Sequence, residues 1–351
     1  RVSQGDTRFP PMPVRVRPRW AAREEIYAEF WHAESVNALA LEPRERNTLF
    51  SGSGDETIRA WDLRESGGKC SHVFEGGHTG YVSSLLLIDE YLVSASFDRT
   101  VALWNVRRRE VVSSIKAHAH AVNALCLHEC GALVSASWDG TVRLWDLRQD
   151  CSKANGFAAA VQVGAAALCV ATQGAEVFCG LHDHSVAAVD LRAAAIRASF
   201  TGHTGYVTAL TLSGPSNLIS ASQDGSVRVT DLRTGAGRET LSTGQPCFSL
   251  HHRAEGAKRW ITTGHADGIV RVSDAITGET HHEYSAGGSK AGQVFSLVAW
   301  QDGVLLTGSF DGAIRCFGDR PGEGRTRAAT SLQVNLNQKS TPPGICFLKL
   351  L

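Results

Sequence analysis

The 351-residue sequence lacks a net charge: 35 Lys and Arg stand against 35 Asp and Glu. A neutral total argues against a uniformly basic nucleic-acid binder, although it leaves the distribution of charge open. A long hydrophobic run is missing too. The longest apolar stretch, Phe157 to Ala171, is interrupted by Gln162 and Gly164 and is too short to span a bilayer, so no membrane insertion is expected. Nor is there a cysteine framework. Nine cysteines (70, 126, 130, 151, 169, 179, 247, 316 and 346) lie scattered singly. At this size an odd, unpatterned set fits reduced thiols inside a cell better than a secreted disulfide scaffold. The cytoplasm or nucleus is the expected compartment. An organelle stays open, because the sequence begins at Arg1 and no leader peptide can be judged from it.

What the sequence does have is a repeat. Segments containing GSGDETIRAWD, SASFDRTVALWN, SASWDGTVRLWD, CGLHDHSVAAVD, SASQDGSVRVTD, TGHADGIVRVSD and TGSFDGAIRCF align on one aspartate: Asp55, Asp98, Asp139, Asp183, Asp224, Asp267 and Asp311. The spacings are 43, 41, 44, 41, 43 and 44 residues. Each copy holds short β-branched and apolar runs separated by Gly, Asp and Ser turns. In the third, VNALCLH, ALVSAS and TVRLWDL read as strands, with Asp139-Gly140 as the tight turn between the last two. No copy carries a convincing helical period. Four short strands per unit of about 40–45 residues predict an all-β, seven-bladed propeller. The seventh copy, Gln293 to Phe317, supplies only three strands. An open ring would expose strand edges. Ile26–Trp31 stands in phase to close the last blade as its fourth strand, and Ser331–Leu336 is the competing latch.

Over residues 24–317 the sequence resembles the WD-repeat family, on Trp61-Asp62, Trp104-Asn105 and Trp145-Asp146 and on the upstream Gly77-His78 and Gly202-His203. The resemblance implies a buried tetrad of His, strand Ser, turn Asp and strand Trp in each blade. Three copies match in full: His32, Ser51, Asp55, Trp61; His78, Ser94, Asp98, Trp104; and His118, Ser135, Asp139, Trp145, with His120 competing for the place of His118. The fifth has His203, Ser220 and Asp224 but Thr230 in place of Trp. Copies four, six and seven keep the Asp, carry Val189, Ser273 and Phe317 at the Trp position, and lack the upstream His. Those blades are expected to depend on packing rather than on the network, and to be less rigid.

Little here points to catalysis. His, Ser and Asp recur in four copies at fixed offsets, whereas a hydrolytic triad needs one copy in one cleft. Cys126, His128 and Cys130 alternate along an extended segment, but zinc requires four converging ligands. His182 and His184, His251-His252 and His281-His282 read as solvated turn or loop residues. Ser51-Gly-Ser-Gly54 has no helix after it to cradle a phosphate. No enzyme activity, cofactor or metal is expected.

Recognition is better represented. The resemblance implies that partners bind the face carrying the turns between second and third strands. The residue before each turn Asp points onto that face: Gly54, Phe97, Trp138, His182, Gln223, Ala266 and Phe310. On the entry side Tyr81, Tyr206, Phe248 and Phe295 join them. Clustered exposed aromatics suit interface anchors, so this face is expected to take other proteins or peptides. Leu49 through Trp61-Asp62-Leu-Arg64 also resembles the sixteen-residue box of cullin–RING ubiquitin ligase substrate receptors, and Leu133 through Arg148 repeats it. That resemblance implies adaptor contact by Arg64 and Arg148, although Arg192 and Arg233 also follow Asp-Leu. No coiled-coil heptads precede the first copy, which argues against a heterotrimeric G-protein β subunit.

Charge is unevenly placed. Residues 1–23 carry six Arg, one acid and four Pro, a net of +5, and residues 318–351 a net of +3. Residues 24–317 hold 24 basic against 32 acidic residues, a net of −8. Three segments follow: a basic Pro/Arg-rich arm (1–23), the propeller (24–317) and a basic tail (318–351). The arms can float free, or grip RNA or an acidic protein surface. Three functions are therefore expected: a non-catalytic scaffold within a multi-protein complex, a ligase substrate receptor, or a ribonucleoprotein subunit anchored by residues 1–23. Oligomeric state is open.

Overall fold

A computed structural model describes residues 26–42, 47–64, 69–146, 157–255, 258–285, 292–300 and 304–317. The basic segments 1–23 and 318–351, Arg148 and the competing latch at 331–336 lie outside the described residues. Within them 28 strands form seven four-stranded antiparallel sheets, and no helix is long and apolar enough to cross a membrane. Six sheets are meanders of consecutive strands. The seventh is ordered β1 (Ile26–Trp31), β28 (Ala313–Phe317), β27 (Leu305–Ser309) and β26 (Val294–Ala299). The first of the described strands therefore completes the last blade, in a register that pairs Ile26 with Phe317 and Trp31 with Ala313.

First strands of successive blades pack side by side around the axis, and β26 closes against Val36–Leu41 of blade one. Second strands are buried on both faces, as in Leu133–Ser137 and Leu305–Ser309, because a neighbouring blade covers each side. They consequently read as unbroken apolar and small residues rather than as alternation. Fourth strands lie at the rim and are largely exposed, as in Glu110–Lys116 and Ala195–Phe200.

One small residue per second strand sets the spacing between blades: Gly52, Ala95, Ala136, Gly180, Ala221, Gly264 and Gly308. The first residue of the next blade packs onto it. A Cβ on Gly52 would lie 2.5 Å from Val82 Cγ1, and one on Gly308 would lie 2.6 Å from Val36 Cγ1. Cores close across these seams; for instance Ala38, Phe50 and Ile58 of blade one join Val82, Leu85 and Trp104 of blade two.

A ring of side-chain to backbone hydrogen bonds stitches the same seams. Asn37 Nδ2 donates to Val82 O (3.2 Å), Ser83 Oγ to Val122 O (2.5 Å) and Asn123 Nδ2 to Ala167 O (2.9 Å). Cys169 Sγ donates to Val207 O (3.5 Å), Thr208 Oγ1 to Cys247 O (2.6 Å) and Ser249 Oγ to Val294 O (3.3 Å). Six seams are stitched this way. The equivalent hydroxyl at the closing seam, Ser296 Oγ, is buried without a hydrogen-bond partner.

That seam is held otherwise. Besides the β1–β28 ladder, His32 N donates to Gly312 O (2.8 Å) and Arg59 Nη1 to Trp31 O (3.1 Å). The Arg315 guanidinium sits 5.7 Å from the centre of the Trp31 ring, a cation–π contact across the two strands.

A buried hydroxyl that bridges two blades contributes about 1–3 kcal/mol when its loss leaves carbonyls unpaired, whereas an unpartnered hydroxyl contributes little. Thr208→Val is therefore expected to lower unfolding free energy by about 1–3 kcal/mol, and Ser296→Ala to change it by less than about 0.5 kcal/mol. Urea denaturation of the two variants measures both.

Candidate functional site

The upper face is built from the turns between second and third strands and from the loops that enter each first strand. In the first blade Trp61 Nε1 donates to Ser51 Oγ (2.7 Å), Ser51 Oγ lies 2.6 Å from His32 Nε2, and His32 Nδ1 lies 2.8 Å from Asp55 Oδ2. Indole can only donate, so the Ser hydroxyl gives its own proton to Nε2, and the imidazole is the neutral Nδ1–H tautomer donating to Asp55. The chain of donors thus runs in one direction to the carboxylate. Asp55 also accepts from Ala33 N and from Thr57 Oγ1, which fixes the entering loop against the turn. His78, Ser94, Asp98 and Trp104 are arranged identically (3.0, 2.6 and 2.7 Å), as are His118, Ser135, Asp139 and Trp145 (3.0, 2.7 and 2.8 Å). His118 occupies the network in blade three. His120 instead stacks on Trp138 at 5.6 Å. In blade five His203 bridges Ser220 and Asp224 without the indole.

Burial pushes His32, His118 and His203 below the ordinary imidazole value, and the bond to Asp only partly offsets it. Burial also opposes ionisation of Asp55, Asp98 and Asp139. Hydrogen bonds from the imidazole, the Thr hydroxyl and the loop backbone outweigh it and hold these carboxyls far below the usual range, while Asp224 is held at about 2.

The blades without the upstream His differ from the sequence expectation. Blades six and seven replace the imidazole with an arginine four residues after the turn Asp. Arg271 Nη2 donates to Asp267 Oδ2 (2.8 Å), and Arg315, itself buried, pairs with Asp311 (2.6 Å). Blade six adds His265, a fully buried strand residue whose Nε2 accepts from Thr263 Oγ1 (2.7 Å) and whose Nδ1 faces Gln245 O (3.2 Å). Its signal was present in the sequence as a His where five other copies have Ser. Only blade four depends on packing in the expected sense: Asp183 bonds Ser185 in its own turn, and Ala187 and Val189 fill the interior. His251-His252 and His281-His282 lie in strands, not loops; His252 Nε2 meets Ser213 Oγ of the neighbouring blade at 3.0 Å.

Of the aromatics expected on the upper face, five are there and two are not. Phe310 is 42% exposed, and Tyr81, Phe97, Trp138 and Tyr206 are partly exposed. Phe248 and Phe295 are only 5% and 1% exposed. They occupy the second position of their first strands, the place held by Asn37, Ser83, Asn123 and Thr208 in other blades, and therefore point inward. There they pack edge to face at 5.5 Å and form part of an apolar cluster with Leu168, against which Trp138, Tyr206 and Ala266 rest. The two rings support the surface from below instead of contacting a ligand.

The surface rings form local stacks. Tyr81 lies 5.8 Å from Phe97, Phe97 lies 6.2 Å from Trp138, and Trp138 stacks on His120. On blades four and five His182 stacks on Tyr206 at 3.7 Å, beside His184. Phe310 rests edge-on against Phe295 at 5.9 Å. Trp138 Nε1 is shielded from solvent and has no hydrogen-bond partner.

Elsewhere the candidates stay apart. Arg64 is held by Asp62 (Nε to Oδ1 3.0 Å, Nη2 to Oδ2 2.6 Å) at the opposite end of the strand, and Arg233 is held by Asp231 in the same way. His128 Nδ1 meets Cys130 Sγ at 3.0 Å, while Cys126 is buried. Among the described residues no group of three or more His, Cys, Asp or Glu is placed to hold a metal ion.

The WD domain, G-beta repeat, matches residues 25–62, 68–105, 109–146 and 195–231. The chain is a seven-bladed WD-repeat propeller. Three of the four matched stretches end in the blades with complete tetrads, and the fourth lies in blade five, which keeps its His. The WD-repeat copies left unmatched are those without an upstream His. Among curated proteins the chain is 30% identical over 108 residues to coatomer subunit beta'-2 of Arabidopsis thaliana, covering 28% of this chain and 11% of that protein. It is 33% identical over 103 residues to p21-activated protein kinase-interacting protein 1-like of Gallus gallus (29% and 26%). It is 31% identical over 121 residues to mitochondrial division protein 1 of Eremothecium gossypii (28% and 16%). The alignments thus span about a quarter or less of these relatives' own lengths.

Because His265 is held down to about 4 by burial and by Arg271, the unfolded chain binds more protons than the folded one between pH 6.5 and 4. Its contribution to stability is complete above pH 6.5 and is lost as pH falls towards 4. Thermal melting from pH 7 to 4 is expected to show a falling Tm, with a shallower slope in His265→Gln.

Proposed function

We propose that this WD-repeat protein is a non-catalytic interaction scaffold whose upper face, centred on Tyr81, Phe97 and Trp138, binds a protein or peptide partner within a larger assembly. The observation that carries the reading is the run of partly exposed rings, Tyr81 against Phe97 and Phe97 against Trp138, gathered on one face. Clustered exposed rings of this kind would supply the apolar anchor for a partner. The recurrent tetrads support a rigid platform. The tetrad histidines His32, His78, His118 and His203 are each committed to a Ser and an Asp, while His120 and His182 stack on Trp138 and Tyr206. Cys70, Cys130 and Cys247 carry free thiols, which suits a reducing compartment.

Phe97→Ala combined with Trp138→Ala is expected to abolish partner recovery in affinity purification with mass spectrometry while leaving Tm within a few degrees. Unchanged recovery would remove the upper face from consideration.

One observation favours a second surface for an anionic partner. Ile26 pairs with Phe317, so the segments of net charge +5 and +3 join the ring at one edge of blade seven. If they act together on RNA or an acidic protein, binding weakens steeply with salt. Loss of RNA cross-linking after deletion of residues 1–23 is the expected result; cross-linking confined to the ring would contradict it. Arg64 lends the ligase-receptor reading no particular support, since Arg233, outside the sixteen-residue box, has the same geometry.

A further inference from the structure

Large apolar side chains exposed to water are few on this propeller, and they are not spread evenly. Among the described residues there are seven, and three of them line one cavity: Tyr91, Val111 and Val112, which are 36%, 42% and 52% exposed. The cavity, about 530 Å³, lies at the lower rim of blade two, at the end of the blade away from the aromatic run. A β-bulge thrusts the valines outward. On β9 (Glu110–Lys116) Val111 opposes Trp104 and Ser113 opposes Leu103, so Val112 is the extra residue between them. The outer strands of blades one, four and six bulge at the same point, where they carry Cys70-Ser71, Ile196-Arg197 and Thr280-His281. Each of those pairs includes a polar residue; blade two sets two valines against water. An apolar patch concentrated in this way marks an interaction site.

The rest of the cavity wall is charged, and one residue sets it apart from the other blades. After the Trp position blades one, three, four, five and six carry Asp62, Asp146, Asp190, Asp231 and Asp274, whereas blade two carries Asn105. In four of those blades the Asp accepts a backbone N–H two residues on, from Arg64, Arg192, Arg233 or Ile276. Asn105 Oδ1 does the same for Arg108 N (2.8 Å), so the turn is kept and its negative charge is not. The arginines feel the difference. Arg64 and Arg233 are tied to their own Asp at 2.6 and 3.2 Å. Arg107 stands in the same place, and Arg107 and Arg108 both line the cavity with carboxylates only at longer range: Glu90 Oε2 at 3.4 Å and Glu110 Oε1 at 3.7 Å. Exposed pairs at such separations are weak. Arg109 adds a third exposed cation, with no ion-pair partner among the described residues.

We infer that this cavity binds a segment of a partner polypeptide in which an apolar side chain stands beside an acidic one. The apolar side chain lies against Tyr91, Val111 and Val112, and the carboxylate is held by Arg107 and Arg108, whose planar guanidinium groups suit two-pronged hydrogen bonding. Asn105 makes room for the acid, since an Asp there would neutralise the arginines itself. The site does not depend on the upper face; blade two presents a separate surface at each end.

The test selects random twelve-residue peptides displayed on phage against the immobilised full chain, then titrates synthetic copies by fluorescence anisotropy. Peptides at this site are expected to carry Asp or Glu beside an apolar residue, and to bind Arg107→Gln/Arg108→Gln about tenfold more weakly. Val111→Thr/Val112→Thr keeps the β-branched shape and should weaken the same peptides about fivefold at unchanged Tm. Asn105→Asp should weaken them as well, in a fold that already accepts Asp at this place in five blades. Phe97→Ala/Trp138→Ala should leave them unaffected. Peptides that respond to only one of the two lower-rim variants, or that carry no acidic residue, would overturn the inference, and so would the absence of any binder. Peptides lost only in Phe97→Ala/Trp138→Ala would overturn it while supporting the upper face.

Discussion

Closure of the ring is the constraint on which the rest depends. A four-stranded sheet has two apolar faces, and neither is covered by its own chain segment; each blade is stable only because the next one covers it. In this propeller the circle closes by strand pairing out of chain order, through β1 against β28, so that Ile26–Trp31 complete the blade made last. The closing seam is also the one without the side-chain stitch that joins the other six. There Arg59 donates to the Trp31 carbonyl and His32 N to Gly312 O, while the β1–β28 ladder and Arg315 over the Trp31 ring bind the latch strand into blade seven.

Within blades the same economy appears in another form. The turn aspartate is constant, but what satisfies it varies: imidazole in blades one, two, three and five, guanidinium in six and seven, a local serine in four. All three solutions hold the turn, because a carboxylate at the end of a β-hairpin accepts whichever donor the neighbouring strand or loop presents. They do not hold it equally. A tetrad ties turn, entering loop and third strand together, whereas Asp183 and Ser185 tie the turn only to itself. The aromatic stack on the upper face stands over blades two and three, where the full networks are.

Much of this was legible in the sequence. Seven aspartates at spacings of 41 to 44 residues set the number of blades, and the phase of Ile26–Trp31 against the other outer strands identified the latch. The complete tetrads could be read by offset. Compensation in blades six and seven was harder to see: an Asp followed four residues later by Arg is an unremarkable string until the strand places both on one edge. His265 was hidden by its position inside a strand, away from the loop where the other histidines stand.

The site divides in the same way. Sequence alone determined which residues are chemically suited to recognition, because bulky rings before a turn aspartate have no packing role within their own hairpin. Only the tertiary structure decided which of them reach solvent. Phe248 and Phe295 read as entry-side rings beside Tyr81 and Tyr206, yet they stand two places further along, inside the first strands of their blades, where they are buried and support the rings above. Local pattern fixes strands and turns because it depends on neighbours in sequence. Exposure and pairing depend on which blades meet, and that is settled when the ring closes.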